Sequence, residues 1–237
     1  MPPVSARGRV LLLAPLAALA LGLAACGGGG GGGGGKTAAT TRTASTTATG
    51  PATESTSTAP SALASRLPPQ DAVPGLSPGD PKDLPTVDSL IDALYQQGDP
   101  TRPAARLRFT TGGFQEAVLR DQTGTDPATG VGLLRTYVIR LGTPAAASRE
   151  VRASVDEVKR TTNAPIHDIA VPGVPGARGL GVTVTTSGTT AQVAFITFAA
   201  GPYLYGYQAF ARGGADLHLA DIKRSVRDVY TGASSHP

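Results

Sequence analysis

Cys26 is the only cysteine among the 237 residues, and its thiol is the first candidate for chemistry. It ends an apolar run over residues 10–25, which follows a start that contains Arg7 and Arg9 but no acidic residue. Nine glycines, residues 27–35, come directly after it. A basic start, a short apolar stretch and small residues are typical of a secretory signal. Because there is no second cysteine, the exported part can form no internal disulfide and must rely on its core.

The tetrad Leu23-Ala24-Ala25-Cys26 resembles the lipobox of bacterial lipoproteins. The resemblance implies that residues 1–25 are a lipoprotein signal peptide and that the Cys26 thiol receives a diacylglyceryl group. Cleavage would then leave Cys26 as the new N-terminus, anchored to the outer face of the cell membrane. Two acyl chains hold a protein durably, since each buried CH₂ contributes about 0.8 kcal/mol and one chain alone binds marginally.

Three alternatives to lipidation fit the residues less well. A membrane-spanning helix needs about 20 apolar residues, whereas residues 10–25 are fewer and include Pro15. An ordinary secretory cut before Cys26 would place Leu23 where a small residue is required. A structural thiol would need residues packed around it, and nothing near Cys26, between the cleaved signal and the glycine run, could supply them.

Residues 26–65 are predicted to be a disordered tether of Gly, Thr, Ser and Ala. No large apolar residue occurs there before Leu63, so ordering this segment would bury little. A coil of this length reaches about 35 Å on average. Its Thr, Ser and Pro content also resembles O-glycosylated stalks, and the sequence leaves that modification open.

Residues 30–37 match the phosphate-loop pattern GxxxxGK[ST]. A working phosphate loop needs a strand before the glycines and a helix after them, so that aligned N–H groups meet the phosphates. Here a signal precedes the pattern and a Thr/Ala coil follows it. The sequence therefore predicts no nucleotide binding.

The net charge of +4 belongs mostly to the segments before the domain. Four of the 21 basic residues precede Arg66, whereas only one of the 17 acidic residues does, which leaves about +1 for the remainder. A nucleic-acid footprint needs clustered Lys and Arg, and no such run follows Arg66. We expect no nucleic-acid partner.

Three tyrosines carry the strongest binding signal. Tyr203, Tyr205 and Tyr207 alternate along one predicted strand and so share a face. A tyrosine joins an apolar ring to a polar tip, which suits a wall for a lipid, a glycan or an envelope protein. On the sequence we favour the alternative, in which the rings cover the core beneath a helix. Arg178 and Arg212, near strand ends, are proposed as companions.

Metal and nucleophilic sites have weak support. None of the three histidines, His167, His218 and His236, has an i, i+4 partner that could form a helical zinc site; His218 is expected on the exposed side of the last helix. No Gly-x-Ser-x-Gly elbow occurs, although a scattered Ser, His and Asp could still meet in space. We predict no cofactor, no metal and no enzyme activity.

The elements that position these residues follow from hydrophobic periodicity and turn signals. Helices are predicted over 84–97, with Thr86 as N-cap, over 143–162, with Glu157 facing water, and over 216–231. Strands are predicted over 114–121, 132–141, 166–171, 177–185, 190–199 and 203–212. Residues 193–198 are apolar on both faces and predict a central strand. This order predicts one α+β domain over 66–237 around an antiparallel sheet of about six strands.

Residues 114–120, 142–147, 171–179 and 195–207 resemble actinobacterial surface lipoproteins. The layout is similar to the PsbP-like fold of LpqN-like lipoproteins, which implies a curved antiparallel sheet flanked by helices. The resemblance carries no catalytic residues. We therefore expect a lipid-anchored envelope protein with a non-enzymatic domain that binds a ligand or partner. The alternatives are an envelope hydrolase acting on wall or lipid substrates and a purely structural accessory protein.

Overall fold

The structure of the chain is a computed structural model that describes residues 62–126, 130–186 and 189–235. Cys26, the glycine run with its phosphate-loop pattern, most of the predicted tether and His236 lie outside these residues. Within the described ranges, no helix is both long enough and apolar enough to cross a bilayer.

The described residues form four α-helices and seven strands, preceded by a 3-10 turn over Ala64–Arg66. The helices are α1 (Val87–Leu94), α2 (Arg102–Thr111), α3 (Pro144–Thr161) and α4 (Leu219–Ser235). The strands are β1 (Lys82–Leu84), β2 (Glu116–Thr123), β3 (Leu133–Arg140), β4 (Ile166–Asp168), β5 (Arg178–Thr186), β6 (Thr189–Ala200) and β7 (Tyr203–Arg212).

All seven strands belong to one antiparallel sheet in the order β1-β2-β3-β7-β6-β5-β4. The predicted α+β class is confirmed. The sheet has seven strands rather than six because Lys82–Leu84 pairs with β2 at one edge. The first helix consequently starts at Val87 instead of residue 84, with Thr86 as its N-cap. Thr86 Oγ1 accepts from the Ser89 N–H at 3.1 Å, and Ser89 Oγ accepts from the Thr86 N–H at 3.1 Å, a reciprocal capping box.

One face of the sheet, called here the α3 face, is covered by α1, α2 and α3. Helix α2 was not predicted from the sequence, because only Ala105 and Phe109 on it are buried and its other large apolar residue, Leu107, is exposed. Tyr137 of β3 lies across β7 on this face, where a Cβ on Gly206 would be 2.0 Å from Tyr137 Cζ. The glycine at this position therefore makes room for the tyrosine ring.

The opposite face, called here the α4 face, is covered by α4 and by the arm formed by residues 62–77. Leu63, Leu67 and Val73 of the arm share a core with Ile222 and Val226 of α4. The central strand prediction is confirmed. Val193 and Phe195 of β6 pack on the α3 face, and the residues between and after them pack on the α4 face, namely Ala194, Ile196 and Phe198.

The last helix begins later than the sequence predicts. Asp216 Oδ1 accepts from the His218 N–H at 2.9 Å, and His218 has a φ of 49°. The chain therefore turns before Leu219, and the His218 carbonyl accepts the first helical N–H groups, those of Asp221 and Ile222. The prediction that His218 lies on the exposed side of this helix is wrong, because His218 precedes it and its side chain is 29% exposed.

Candidate functional site

The antiparallel register brings three polar side chains into one row across the sheet. Glu116 of β2 is opposite Arg140 of β3, and Arg140 is opposite Tyr203 of β7. Directly opposed residues point to the same face, here the α4 face. Arg140 Nη1 lies 3.6 Å from Glu116 Oε1, and both side chains are partly exposed. This row lies where β2 and β7 begin and β3 ends, so that edge of the α4 face carries one ion pair and one tyrosine.

Tyr205 is the next residue of β7 on the α4 face, two positions further along the strand from Tyr203. Its ring stacks on Phe198 at 4.7 Å between centroids with an interplanar angle of 2°, and Phe198 meets Tyr230 of α4 edge-on at 6.1 Å. The residue is 1% exposed. Its hydroxyl makes no aligned hydrogen bond with any described residue. Burial raises the pKa of Tyr205, and the Arg66 guanidinium, which is close enough to donate a hydrogen bond to the hydroxyl oxygen, lowers that pKa by a smaller amount.

The arm supplies Arg66 and holds it against the sheet. Leu63 and Leu67, on either side of the 3-10 turn, are buried. Arg120 Nη1 donates to the Pro68 carbonyl at 2.7 Å, which ties the arm to β2. The Arg66 guanidinium carbon lies 4.0 Å from the centroid of the Tyr203 ring, a cation–π distance.

These elements border an open cleft of about 540 Å³, called here the arm cavity. Its polar lining is Ser65, Arg66, Glu116, Arg140 and the two tyrosines Tyr203 and Tyr205. Its apolar lining comes from the arm and the end of α4, namely Ala62, Leu63, Leu67, Val229 and Ala233. The volume lies in the range of small-molecule sites, which combine apolar walls with a few convergent polar groups.

The structure brings together two of the three predicted tyrosines. Tyr203 and Tyr205 line the arm cavity, whereas Tyr207 is sealed under α4, where its hydroxyl lies 3.2 Å from Ser225 Oγ. Burial raises the pKa of Tyr207. The proposed companions Arg178 and Arg212 lie on the α3 face instead. Arg178 lines a hollow with residues of α3, and Arg212 is on the same side of β7 as Phe210, which packs against α3.

Sequence reasoning missed three cavity residues, Arg66, Glu116 and Arg140. Glu116 and Arg140 become neighbours only through the register of β2 and β3. Arg66 reaches the site because the arm folds back over strands that come more than 50 residues later, as its bonds from Arg120 and Gln122 show. A basic residue between two leucines near the domain start is the signal that could have suggested it.

The histidines do not form a metal site in the described part of the chain. No group of three His, Cys, Asp or Glu side chains converges there. The ring of His167 packs over Gly181, whose absent Cβ would lie 2.1 Å from it. The neighbouring Asp168 accepts from Lys159 Nζ at 2.9 Å, which holds the pKa of that carboxyl below its usual range.

A second polar cluster lies buried on the α3 face. Arg108 of α2 places its Nε 3.2 Å from both Glu150 carboxylate oxygens and its Nη1 2.7 Å from Glu157 Oε2. The prediction that Glu157 faces water is wrong, because it is 5% exposed beneath α2. Burial raises the pKa of Glu150 to about 7, with Arg108 lowering and Glu157 raising it.

The space beside this cluster is too small for a substrate. A cavity of about 40 Å³ lies between Tyr95, Tyr137 and the two glutamates, enough for about one water molecule. Burial, followed by the Glu157 charge, raises the pKa of Tyr95. The cluster therefore joins α2 to α3 and is not a candidate active site.

The described residues thus define an α+β domain whose arm cavity is of ligand size and combines charged groups with tyrosine rings. No protein-family model matches the chain, and no curated protein matches it. Among solved structures, the chain is similar to the extracellular domain of PknH from Mycobacterium tuberculosis, with 16% identity and a TM-score of 0.46. That similarity covers 72% of this chain and 95% of the other. The resemblance to PsbP-like and LpqN-like lipoproteins stays a prediction.

Proposed function

We propose that this chain is a lipid-anchored envelope protein on the outer face of the cell membrane, whose domain binds a small ligand without catalysing a reaction. The anchor rests on the Leu23-Ala24-Ala25-Cys26 motif. The binding function rests on the arm cavity, whose volume of about 540 Å³ and mixed lining are those of a ligand site.

The observation that carries the proposal is the Tyr205 hydroxyl. It is buried at the wall of the cavity. The Arg66 guanidinium is close enough to donate to its oxygen, but its own O–H has no aligned acceptor among the described residues, and an unpaired buried donor costs about 1–3 kcal/mol. The stacked Phe198 ring fixes its position. A ligand oxygen that accepts from this O–H would remove that cost.

The position of the arm cavity, next to the point where the predicted tether joins the domain, supports an anchored binding protein. Ala62, the first described residue, is part of its lining, so the predicted tether joins the domain at the edge of the cavity. A coil of the tether's length keeps the site within about 35 Å of the anchor on average. Molecules of the membrane and of the inner wall lie within that reach.

Native mass spectrometry of the full chain purified from its own envelope tests the proposal. We expect a bound small molecule in the wild type and its loss in Ala233→Phe, which fills the cavity from α4. The matched control is Ala104→Phe on the exposed side of α2, on the α3 face. A wild-type chain recovered empty, or equal recovery of the molecule from Ala233→Phe, would contradict the binding function.

A further inference from the structure

We infer that the arm cavity binds an amphiphile with a singly charged oxyanion head and an apolar body. This inference rests on the proposed function and adds the chemical class of the ligand. Three features of the cavity carry it: its charge, its hydrogen-bond donors and its walls.

The lining carries one uncompensated positive charge. Arg140 is paired with Glu116 at 3.6 Å. No described carboxylate lies within ion-pair distance of Arg66, whose guanidinium meets the Tyr203 ring instead. A guanidinium stacked on a ring keeps its N–H edge available for a bidentate oxyanion. A single negative charge matches the lining, whereas a doubly charged phosphate would leave one charge unmatched.

The donors point to an oxygen acceptor. The Tyr205 hydroxyl is buried without an aligned partner, and Arg66 lies close enough to it to influence its ionisation. One oxyanion oxygen can therefore accept from Tyr205 while Arg66 donates to the same group. Because the Tyr205 ring is fixed by Phe198, this donor is preorganised.

The walls require an apolar body. Leu63 and Leu67 of the arm and Val229 and Ala233 of α4 line the cavity beside the charged end. A small inorganic anion would leave most of a volume of about 540 Å³ filled with water. Burial of apolar area against these side chains supplies the non-directional part of the affinity.

Titration calorimetry with defined probes tests the ligand class on residues 27–237. This chain lacks the anchor but keeps every described residue and both core layers. The probes are decanoate, with decanol as its neutral counterpart, and dihexanoyl phosphatidylglycerol, with dihexanoyl phosphatidylcholine. We expect at least one anionic probe to bind about tenfold or more tightly than its neutral counterpart, the factor of one charge-assisted hydrogen bond. The anionic probe that binds identifies a carboxylate or a phosphodiester source.

Variants separate the charge from the cavity. Arg66→Gln should weaken binding of the anionic probe about tenfold and leave binding of its neutral counterpart unchanged. Tyr205→Phe should weaken binding of the anionic probe about fivefold. Arg106→Gln, which removes an exposed arginine paired with Asp88 on the α3 face, is the matched control. Equal binding of anionic and neutral probes, or anion binding that survives Arg66→Gln, overturns the anionic class while the cavity remains a binding site. If none of the four probes binds, the inference is overturned. If the molecule recovered from the envelope is neutral, the anionic class is overturned while the proposed function is confirmed.

Discussion

At the scale of single residues, two tyrosines on one face of β7 have opposite relations to their surroundings. The Tyr207 hydroxyl has Ser225 Oγ at 3.2 Å, whereas the Tyr205 hydroxyl has no aligned partner among the described residues. Both rings are almost fully buried. The same substitution at the two positions should therefore have opposite effects on stability, because one removes a hydrogen bond and the other removes an unpaired polar atom.

We predict that Tyr205→Phe raises the free energy of unfolding of the ligand-free chain by about 1 kcal/mol. The ring keeps its stacking on Phe198, so only the cost of the unpaired hydroxyl changes. Tyr207→Phe is the matched control and should lower the same quantity by about 1 kcal/mol. Urea unfolding followed by circular dichroism measures both. A destabilised Tyr205→Phe would show that the hydroxyl already has a partner in the free protein.

At the scale of elements, Arg108 joins α2 to α3 by contacting Glu150 and Glu157. The two glutamates are seven residues apart, so they lie on one side of α3, and one arginine serves both. A buried carboxylate without a partner is strongly destabilising. The helix pair is therefore held by a cluster that has one more negative than positive charge when both glutamates are ionised.

The raised pKa of Glu150 makes the stability of this helix pair depend on pH. In the unfolded chain the carboxyl has its ordinary pKa of 4.5, and in the folded chain the pKa is about 7. The folded state therefore binds the proton more tightly. The stability that this tighter proton binding by Glu150 contributes is complete below pH 4.5 and is lost as the pH rises through about 7.

We predict that the free energy of unfolding rises by roughly 2–3 kcal/mol when the pH falls from 8 to 5, because each pKa unit corresponds to about 1.4 kcal/mol. Glu150→Gln should abolish most of this rise. Glu116→Gln changes an exposed carboxylate and should leave the rise intact. Chemical unfolding at several pH values measures the slope, and a slope unchanged in Glu150→Gln would place the titrating group elsewhere.

At the scale of the whole molecule, features set by local patterns could be predicted from the sequence, whereas features set by distant contacts could not. The strand over 203–212 and the Thr86 cap were predicted as observed, since alternation and capping are local. β1 has three residues with one buried side chain, too few for a period. The burial of Glu157 and the position of Arg66 depend on partners roughly 50 or more positions away, and no local pattern contains such register information.

The anchor is a feature that local sequence can specify, and one peptide tests it. We predict that trypsin digestion of the chain from envelope membranes releases residues 26–36, cut after Lys36, with a diacylated Cys26 at the N-terminus. Two buried acyl chains should keep the undigested chain in the membrane fraction. Cys26→Ser removes the thiol that would form the thioether and should yield no acylated peptide.

The two processing alternatives to lipidation yield different products. An ordinary secretory cut before Cys26 gives residues 26–36 with a free thiol, recovered from a chain in the soluble fraction. A retained membrane-spanning segment gives residues 10–36 intact, because Arg9 and Lys36 bound that stretch and no Lys or Arg lies between them. Either product would remove the lipid anchor from the proposed function. The arm cavity would be unaffected, since every residue that lines it lies at or after Ala62.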